Sequence, residues 1–165
     1  MPFRLTNAGE YAVRLMVYLA GRAPGELTAA RAIAQDQNIP QRFLRSIVSQ
    51  FAKQGLIDSV QGNGGGVRLA EGAADKTLLE VIEAVEGPIY LNACIQGEEA
   101  CQFSSHCAVH LVWHEAQDAI RNILGKRTIG ELSGINLAQS RLLPATDQMC
   151  GVPDLESLAG GDHGN

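Results

Sequence analysis

The stretch QRFLRSIVSQFAKQGLIDSVQGNGGGVRL, residues 41–69, decides the fold because it joins an amphipathic helix to a hairpin. The helix is predicted to begin at Pro40, a residue that suits the first turn of a helix, and to stop at Gly55. Apolar residues recur along it at helical spacing, so one face is predicted to be buried in a core. This buried stripe consists of Leu44, Ile47, Val48 and Phe51.

The other face of this helix is polar and cationic, and it contains no acidic residue. A solvated helix face usually mixes both charge signs, so a face of a single sign favours contact with a polyanion. The residues of this face, at positions i, i+3, i+4, i+7 and i+11, are Arg42, Arg45, Ser46, Ser49 and Lys53.

The hairpin is predicted from two short β-prone segments, 56–60 and 67–69, which flank the glycine-rich turn QGNGGG at 61–66. The three consecutive glycines at 64–66 are predicted to supply positive φ angles. They do not form a phosphate-binding P-loop, because the Lys-Ser/Thr pair and the following helix of that motif are both missing.

Two further helices are predicted upstream. Residues 6–20 form the first, with Thr6 or Asn7 as its cap, and Thr28 is predicted to cap a second that runs to about Asp36. Helix, helix, turn, helix and hairpin is the order of a winged helix-turn-helix, in which the third helix enters the major groove of DNA. The predicted fold is therefore mainly α with a small β-hairpin wing.

The distribution of charge supports a DNA-binding N-terminal half, although the net charge of the chain is −5. Residues 1–70 hold 8 Lys/Arg against 4 Asp/Glu, and residues 71–165 hold 5 against 14, so the halves carry +4 and −9. A basic half suits a polyanionic partner. The residues predicted to contact DNA are Thr28, Gln41, Arg42, Arg45, Ser46, Ser49 and Lys53 from the helices, and Gln61, Gly62, Asn63, Gly64 and Arg68 from the wing.

The C-terminal half is predicted to contain a helix at 77–86, a long helix at 108–124 and a short capped helix at 128–132. The long helix has little domain left to bury its apolar face, so it is predicted to pack on a second copy of the chain. The sequence is thus divided into a DNA-binding domain (1–70), a cysteine loop with a dimerisation helix (71–132) and a polar, disordered tail (133–165).

The chain has an ordinary globular composition, with 45% hydrophobic and 19% charged residues. It has neither a signal-peptide apolar region nor an apolar run of membrane-spanning length, so a cytoplasmic protein with no membrane partner is predicted. In that reducing compartment, clustered cysteines bind metal or carry out redox chemistry more often than they form disulfides.

Three of the four cysteines, Cys94, Cys101 and Cys107, lie in the loop LNACIQGEEACQFSSHCAVH with the spacing C-x6-C-x5-C. The paired C-x2-C knuckles of a zinc ribbon are absent, and an odd number of cysteines does not pair into disulfides. Thiols this far apart suit an iron–sulfur cluster, although a zinc ion held by three cysteines and a histidine fits as well. A thiol enzyme using Cys101 or Cys107 is disfavoured, because no base with an orienting partner is visible.

The span from Phe3 to about Leu132 resembles the winged-helix iron–sulfur regulators that include IscR, NsrR and RirA. The resemblance rests on LTNAGEYAV (5–13), the wing QGNGGGVRL (61–69), the three loop cysteines and TIGEL (128–132). It implies a transcriptional regulator, not an enzyme, that binds palindromic promoter DNA as a homodimer and senses iron, redox state or nitric oxide. A regulator with a structural zinc or a thiol-based redox switch is the alternative.

The resemblance also offers two candidates for the fourth cluster ligand. His110 matches the histidine that IscR-like members give to a 2Fe–2S cluster, and Glu10 matches the carboxylate that NsrR-like members give to a 4Fe–4S cluster in the partner subunit. His110 is favoured, and with it 2Fe–2S. Cys150 is predicted to be a free thiol without a role.

The sequence departs from the pattern of this family at two places. Gln61 stands where the wing often begins with arginine, so a minor-groove or phosphate contact of the family is weakened. The first gap between cysteines is six residues, whereas the nearest IscR pattern has five.

Overall fold

The computed structural model describes residues 4–62, 64–97 and 101–134, which contain six α-helices and one two-stranded antiparallel sheet. This confirms the predicted fold class, which is mainly α with a β-hairpin wing. Three short 3-10 helices lie at Ala73–Asp75, Ala93–Ile95 and Ser104–His106. The main elements are α1 (Asn7–Ala20), α2 (Ala30–Asp36), α3 (Gln41–Lys53), β1 (Ile57–Val60), β2 (Gly66–Leu69), α4 (Leu78–Glu86), α5 (Ala108–Gly125) and α6 (Ile129–Ser133).

The predicted apolar stripe of α3 is buried, and Phe51 at its C-terminal end is fully inaccessible to solvent. Leu15 and Met16 of α1 are equally inaccessible and belong to the same core. Val81 of α4 and Ile129 of α6 join it as well, so packing continues across the predicted division near residue 70. The functional boundary at that position stays a prediction.

Three threonines begin helices in the way their positions suggest. The side chain of Thr6 accepts a hydrogen bond from the Gly9 amide, so Thr6 rather than Asn7 caps α1. Thr77 and Thr128 each form a capping box with the glutamate three residues later, at the starts of α4 and α6. The predicted stop after α3 is also confirmed, since Gly55 has a φ of 71°.

The prediction that Thr28 caps α2 is wrong. The residue before α2 is Ala29, which offers no side-chain cap, and Thr28 pairs instead with Val67 of the wing through two backbone hydrogen bonds of 2.9 Å. Thr28 is 8% exposed, and its hydroxyl has no hydrogen-bond partner among the described residues. Backbone pairing therefore takes this residue into the base of the wing, and its buried hydroxyl gives no support to a DNA contact.

The prediction of positive φ at the three consecutive wing glycines is right for Gly64 only. Positive φ occurs at Gly62 (99°) and Gly64 (81°), but not at Gly65 or Gly66. Gly65 and Gly66 are required for another reason, because the backbone of other residues lies where a Cβ atom would be. A Cβ on Gly66 would lie 2.6 Å from the carbonyl oxygen of Thr28, and a Cβ on Gly65 would collide with the carbonyl of Val60.

The long helix α5 has no buried residue. Val109, Leu111, Val112 and Ile123 are each more than half exposed, at 57%, 70%, 60% and 65%. The described part of the chain therefore leaves these four side chains uncovered, and the packing of α5 on a second copy of the chain stays a prediction. None of the helices described is both long and apolar enough to cross a bilayer.

Candidate nucleic-acid interface and metal-binding loop

The polar face of α3 is exposed to solvent. Every predicted contact residue on this helix, from Gln41 to Lys53, is accessible to solvent. Within the described ranges, Arg42, Arg45 and Lys53 take part in no ion pair, whereas Arg14, Arg22, Arg68 and Arg121 each pair with a carboxylate. The guanidinium of Arg42 lies 4.9 Å from the centre of the Phe43 ring, against the helix surface. This face is thus a cationic surface whose charges are not neutralised by described neighbours.

The wing presents a weaker cationic surface. Arg68 lies directly opposite Asp58 in the hairpin register, and its Nε is 3.0 Å from the Asp58 carboxylate. To bind a phosphate, Arg68 would have to share or leave this carboxylate. Gln61, Gly62 and Gly64 are exposed at the tip, and Asn63 lies outside the described residues.

The three loop cysteines are free thiols, and each is half-buried. Cys94 lies in the short helix Ala93–Ile95, whose Ile95 is 4% exposed and anchors it. Cys107 immediately precedes α5, and its side chain forms no capping hydrogen bond. Nowhere in the described ranges do three or more His, Cys, Asp or Glu side chains gather in a way that could hold a metal ion.

His110 lies in the first turn of α5, one turn before His114. The Nε2 atoms of the two rings are 3.2 Å apart, and the rings meet edge to face with their centroids 4.6 Å apart. The Nδ1 atom of His110 is buried and has no hydrogen-bond partner among the described residues. A buried ring nitrogen without a partner is uncommon in folded proteins, and it is available to coordinate a metal.

The alternative ligand, Glu10, lies in the first turn of α1 and forms an ion pair with Arg14 one turn later. Its side chain is 60% exposed, which leaves it accessible to a partner chain. His106 is an exposed residue of the loop, and Cys150 lies outside the described residues.

By chemistry, the donor set fits an iron–sulfur cluster. The three thiols are unpaired, the buried Nδ1 of His110 is available, and thiolate and imidazole are established cluster ligands. The arrangement described does not bring three donors together, so binding would require the thiols to move towards one another.

Residues 5–134 match the Rrf2 family, described as iron-dependent transcriptional regulators. The chain belongs to the Rrf2 family. It is 35% identical over 136 residues to the HTH-type transcriptional regulator IscR of Photobacterium profundum, in a match that covers 82% of this chain and 78% of that protein. The Escherichia coli K12 IscR is 34% identical over 129 residues, covering 78% of this chain and 79% of that protein.

Solved structures of Rrf2 relatives have the same fold. CymR, the global cysteine regulator of B. subtilis, superposes with a TM-score of 0.65 at 25% identity, covering 79% of this chain and 96% of that chain. The IscR of T. potens superposes with a TM-score of 0.64 at 23% identity, covering 85% of this chain and 93% of that chain. The family match and the IscR relatives confirm the predicted family and the prediction that the protein is not an enzyme.

Proposed function

We propose that this Rrf2 protein is a homodimeric regulator that binds palindromic promoter DNA and senses iron, redox state or nitric oxide through an iron–sulfur cluster. The observation that carries the proposal is the exposed face of α3, where Arg42, Arg45 and Lys53 have no ion pair within the described ranges. Arginines on such a helix reach guanine edges or phosphates in the major groove. The protein would act in the cytoplasm, where its target DNA lies.

The exposed apolar surface of α5 supports the homodimer. Large apolar side chains exposed along one helix mark an interaction site, and two identical chains can bury them symmetrically. A two-fold dimer presents two copies of α3, so its preferred DNA would be a palindrome with half-sites about one helical turn, or a multiple of one turn, apart.

Cys94, Cys101 and Cys107 would hold the cluster, with His110 as the favoured fourth ligand. The unpartnered Nδ1 of His110 supports this choice over the carboxylate of Glu10, which already has Arg14 as a partner. With His110 the cluster would be 2Fe–2S, and with Glu10 from the partner subunit it would be 4Fe–4S. Such a cluster supplies reversible electron transfer and reacts with oxygen and nitric oxide.

A thiol-based switch or a structural zinc is the second candidate. It is favoured by the likeness to CymR, the global cysteine regulator of B. subtilis, and by the free thiols of the loop. In this case the same α3 surface would bind DNA, while oxidation of the thiols or a zinc ion would set the shape of the loop.

Purification without oxygen tests the proposal. We expect brown protein of dimeric mass, with visible absorption, nearly equal iron and acid-labile sulfide, and specific binding to duplexes selected from a random library. Colourless protein with zinc as its only metal, or with no metal, would refute the cluster and leave the second candidate. Failure to bind any duplex above the non-specific level would refute DNA recognition.

The wing carries a separate prediction. Replacing Gln61 with arginine should add a phosphate contact, because residue 61 is exposed at the tip of the hairpin. Affinity should rise for all DNA sequences, and the slope of log K against log[salt] should steepen by about one unit. Binding titrations at several salt concentrations measure both quantities.

Gln61→Met is the matched control, since it preserves the length of the side chain and adds no charge. This variant should keep the salt slope of the wild-type protein. An unaltered slope in Gln61→Arg would mean that residue 61 does not face DNA.

A further inference from the structure

The last turn of α4 is bonded to four other parts of the molecule. Ala84 is hydrogen-bonded to α3, Glu86 to the start of α1, and Glu83 to α5 and to the chain that follows α4. Cys94 lies only a few residues beyond this turn. We call residues 83–86 the α4 junction.

The link to α3 uses a carbonyl that the end of α4 leaves open, since α4 ends at Glu86 with Gly87 as its C-cap. In a continuing helix, the carbonyl of Ala84 would accept a hydrogen bond from residue 88, but Pro88 has no N–H to donate. Gln50 Nε2 donates to this carbonyl at 2.7 Å and Gln54 Nε2 donates to it at 3.0 Å. Gln50 of α3 and Gln54, the residue that follows α3, thus satisfy a carbonyl that has no donor in its own helix.

The link to α1 is a capping box completed by another helix. In an ordinary capping box, the third residue of the helix is a glutamate that accepts from the amide of the cap residue. Here that position is Gly9, and Glu86 accepts from the amide of Thr6 at 3.0 Å and from its hydroxyl at 2.6 Å. A Cβ on Gly9 would collide with the Glu86 carboxylate. Gly9 therefore leaves the space in which α4 caps α1.

The link to the cysteine loop runs through Glu83. Its carboxylate pairs with Arg121 of α5 and accepts a hydrogen bond of 3.1 Å from the amide of Ile89. Two residues later, the Leu91 amide donates to Gln117 of α5 at 3.1 Å. The segment between α4 and Cys94 is thereby attached both to the junction and to α5.

We infer that the α4 junction is the coupling element of the regulator, with Gln50, Gln54 and Glu86 as positioning residues for its DNA-binding helices. A change in the loop that moves Glu83 also moves the Ala84 carbonyl and the Glu86 carboxylate, since one helical turn carries all three. The junction then shifts α3 and α1 together between two arrangements. The state of the cysteine loop and the binding of DNA would each change the populations of these arrangements. The effect on DNA affinity that this inference predicts rests on the proposed DNA-binding function. The first test below does not depend on that function.

The first test needs neither DNA nor metal. Arg121→Leu breaks the junction on its α5 side only, and hydrogen exchange of the full-length, cluster-free protein is followed by mass spectrometry. We expect faster exchange of the amides around Gln50 to Gln54 and around Gly9, although Arg121 is hydrogen-bonded to neither region and its described partner is Glu83. Thr77→Ala, which removes the cap at the opposite end of α4, is the control and should leave the exchange of both regions as in the wild-type protein. Exchange unchanged by Arg121→Leu would overturn the inference.

The second test measures DNA affinity with and without the cluster, using a duplex selected by the wild-type protein. If the junction couples the cysteine loop to the DNA-binding helices, the DNA affinities of the wild-type protein with and without the cluster should differ by about 5- to 150-fold, the usual range of allosteric coupling. The double variant Gln50→Leu, Gln54→Leu should bring the ratio of these two affinities close to one while still binding the cluster. A ratio retained at its wild-type value in the double variant would overturn the inference.

Glu86 offers a comparison that separates positioning from simple stability. Glu86→Gln keeps an oxygen that accepts from Thr6 and should retain the wild-type ratio, whereas Glu86→Leu should lower it. Equal ratios in the two variants would remove Glu86 from the junction. If the wild-type protein binds DNA equally well with and without the cluster, the proposed sensing function fails. The hydrogen-exchange test still determines whether the junction couples α5 to α3 and α1.

Discussion

Replacing Cys94, Cys101 or Cys107 with serine, one at a time, is expected to remove nearly all bound iron and sulfide and the visible absorption with them. Each thiolate would occupy one coordination position, and its loss opens that iron to water and oxygen. A serine hydroxyl is a hard, rarely ionised donor that replaces a thiolate poorly. Iron, sulfide and the visible spectrum, measured on protein kept without oxygen, quantify the loss.

Cys150→Ser is the matched control, because it makes the same chemical change outside the loop. Its iron content should equal that of the wild-type protein, and all four variants should have the same helical content by circular dichroism. A full cluster in any one of the three loop variants would exclude that cysteine as a ligand. Zinc as the only metal in every preparation would exclude the cluster altogether.

A paired substitution then identifies the fourth ligand. If His110→Ala shifts the absorption spectrum and Glu10→Ala does not, the site is IscR-like and 2Fe–2S. The reverse pattern would assign the carboxylate and a 4Fe–4S cluster. Glu10→Ala also breaks the ion pair with Arg14, but an exposed pair of this kind contributes only about 0–1 kcal/mol, so folding should not confuse the comparison.

The parts of the fold that the sequence predicted are those decided by local rules. The periodicity of α3 identified its buried stripe, and the turn chemistry around Gly62 and Gly64 identified the hairpin. The same reasoning failed for Thr28, a good helix cap by residue type. Its backbone pairs with Val67, 39 positions along the chain, and long-range pairing of this kind overrides a local preference.

The α4 junction could not be predicted from local patterns. Gln50 reaches a backbone carbonyl 34 residues away, and Glu86 bonds to the cap residue of α1, which lies 80 residues before it. Two signals were nevertheless present in the sequence. Pro88 leaves the carbonyl of Ala84 without a helical donor, and Gly9 occupies the position where a capping box would have a glutamate.

The cysteine loop shows a different limit. Residue type and spacing predict which side chains can bind a soft metal, but they do not predict how a loop without regular structure arranges them. The three thiols do not form a metal-binding group among the described residues. The burial of His110 Nδ1 could be seen only in the structure. The sequence therefore predicted the donors, while their distances depend on contacts across the fold.

Loss of both arginines on the exposed face of α3 is expected to reduce binding to the non-specific level. Each of Arg42 and Arg45 should contribute about 1–3 kcal/mol of discrimination if it pairs with guanine through two hydrogen bonds. The two arginines are one turn apart, so their contributions need not add. The double variant should lose at least as much DNA affinity as whichever single variant loses more. Titration of the single and double alanine variants against a selected duplex measures these losses.

Folding should not account for this loss. Both positions are exposed, the buried stripe of α3 is untouched, and alanine has a higher helix propensity than arginine. Arg127→Ala is the matched control, since Arg127 is an exposed arginine with no ion pair to any described residue and lies far from α3 in sequence, in the acidic half of the chain. Its DNA affinity should stay at the wild-type value.

The salt dependence of each variant distinguishes base reading from backbone contact. Replacing an arginine that reads a base relaxes the specificity of the protein at one position of the DNA site and hardly changes the salt slope. An arginine that contacts a phosphate weakens binding to all sequences equally and lowers the slope by about one unit. Affinity, specificity and slope all unchanged in both Arg42→Ala and Arg45→Ala would mean that DNA does not meet this face. The cationic surface of α3 would then need another polyanionic partner.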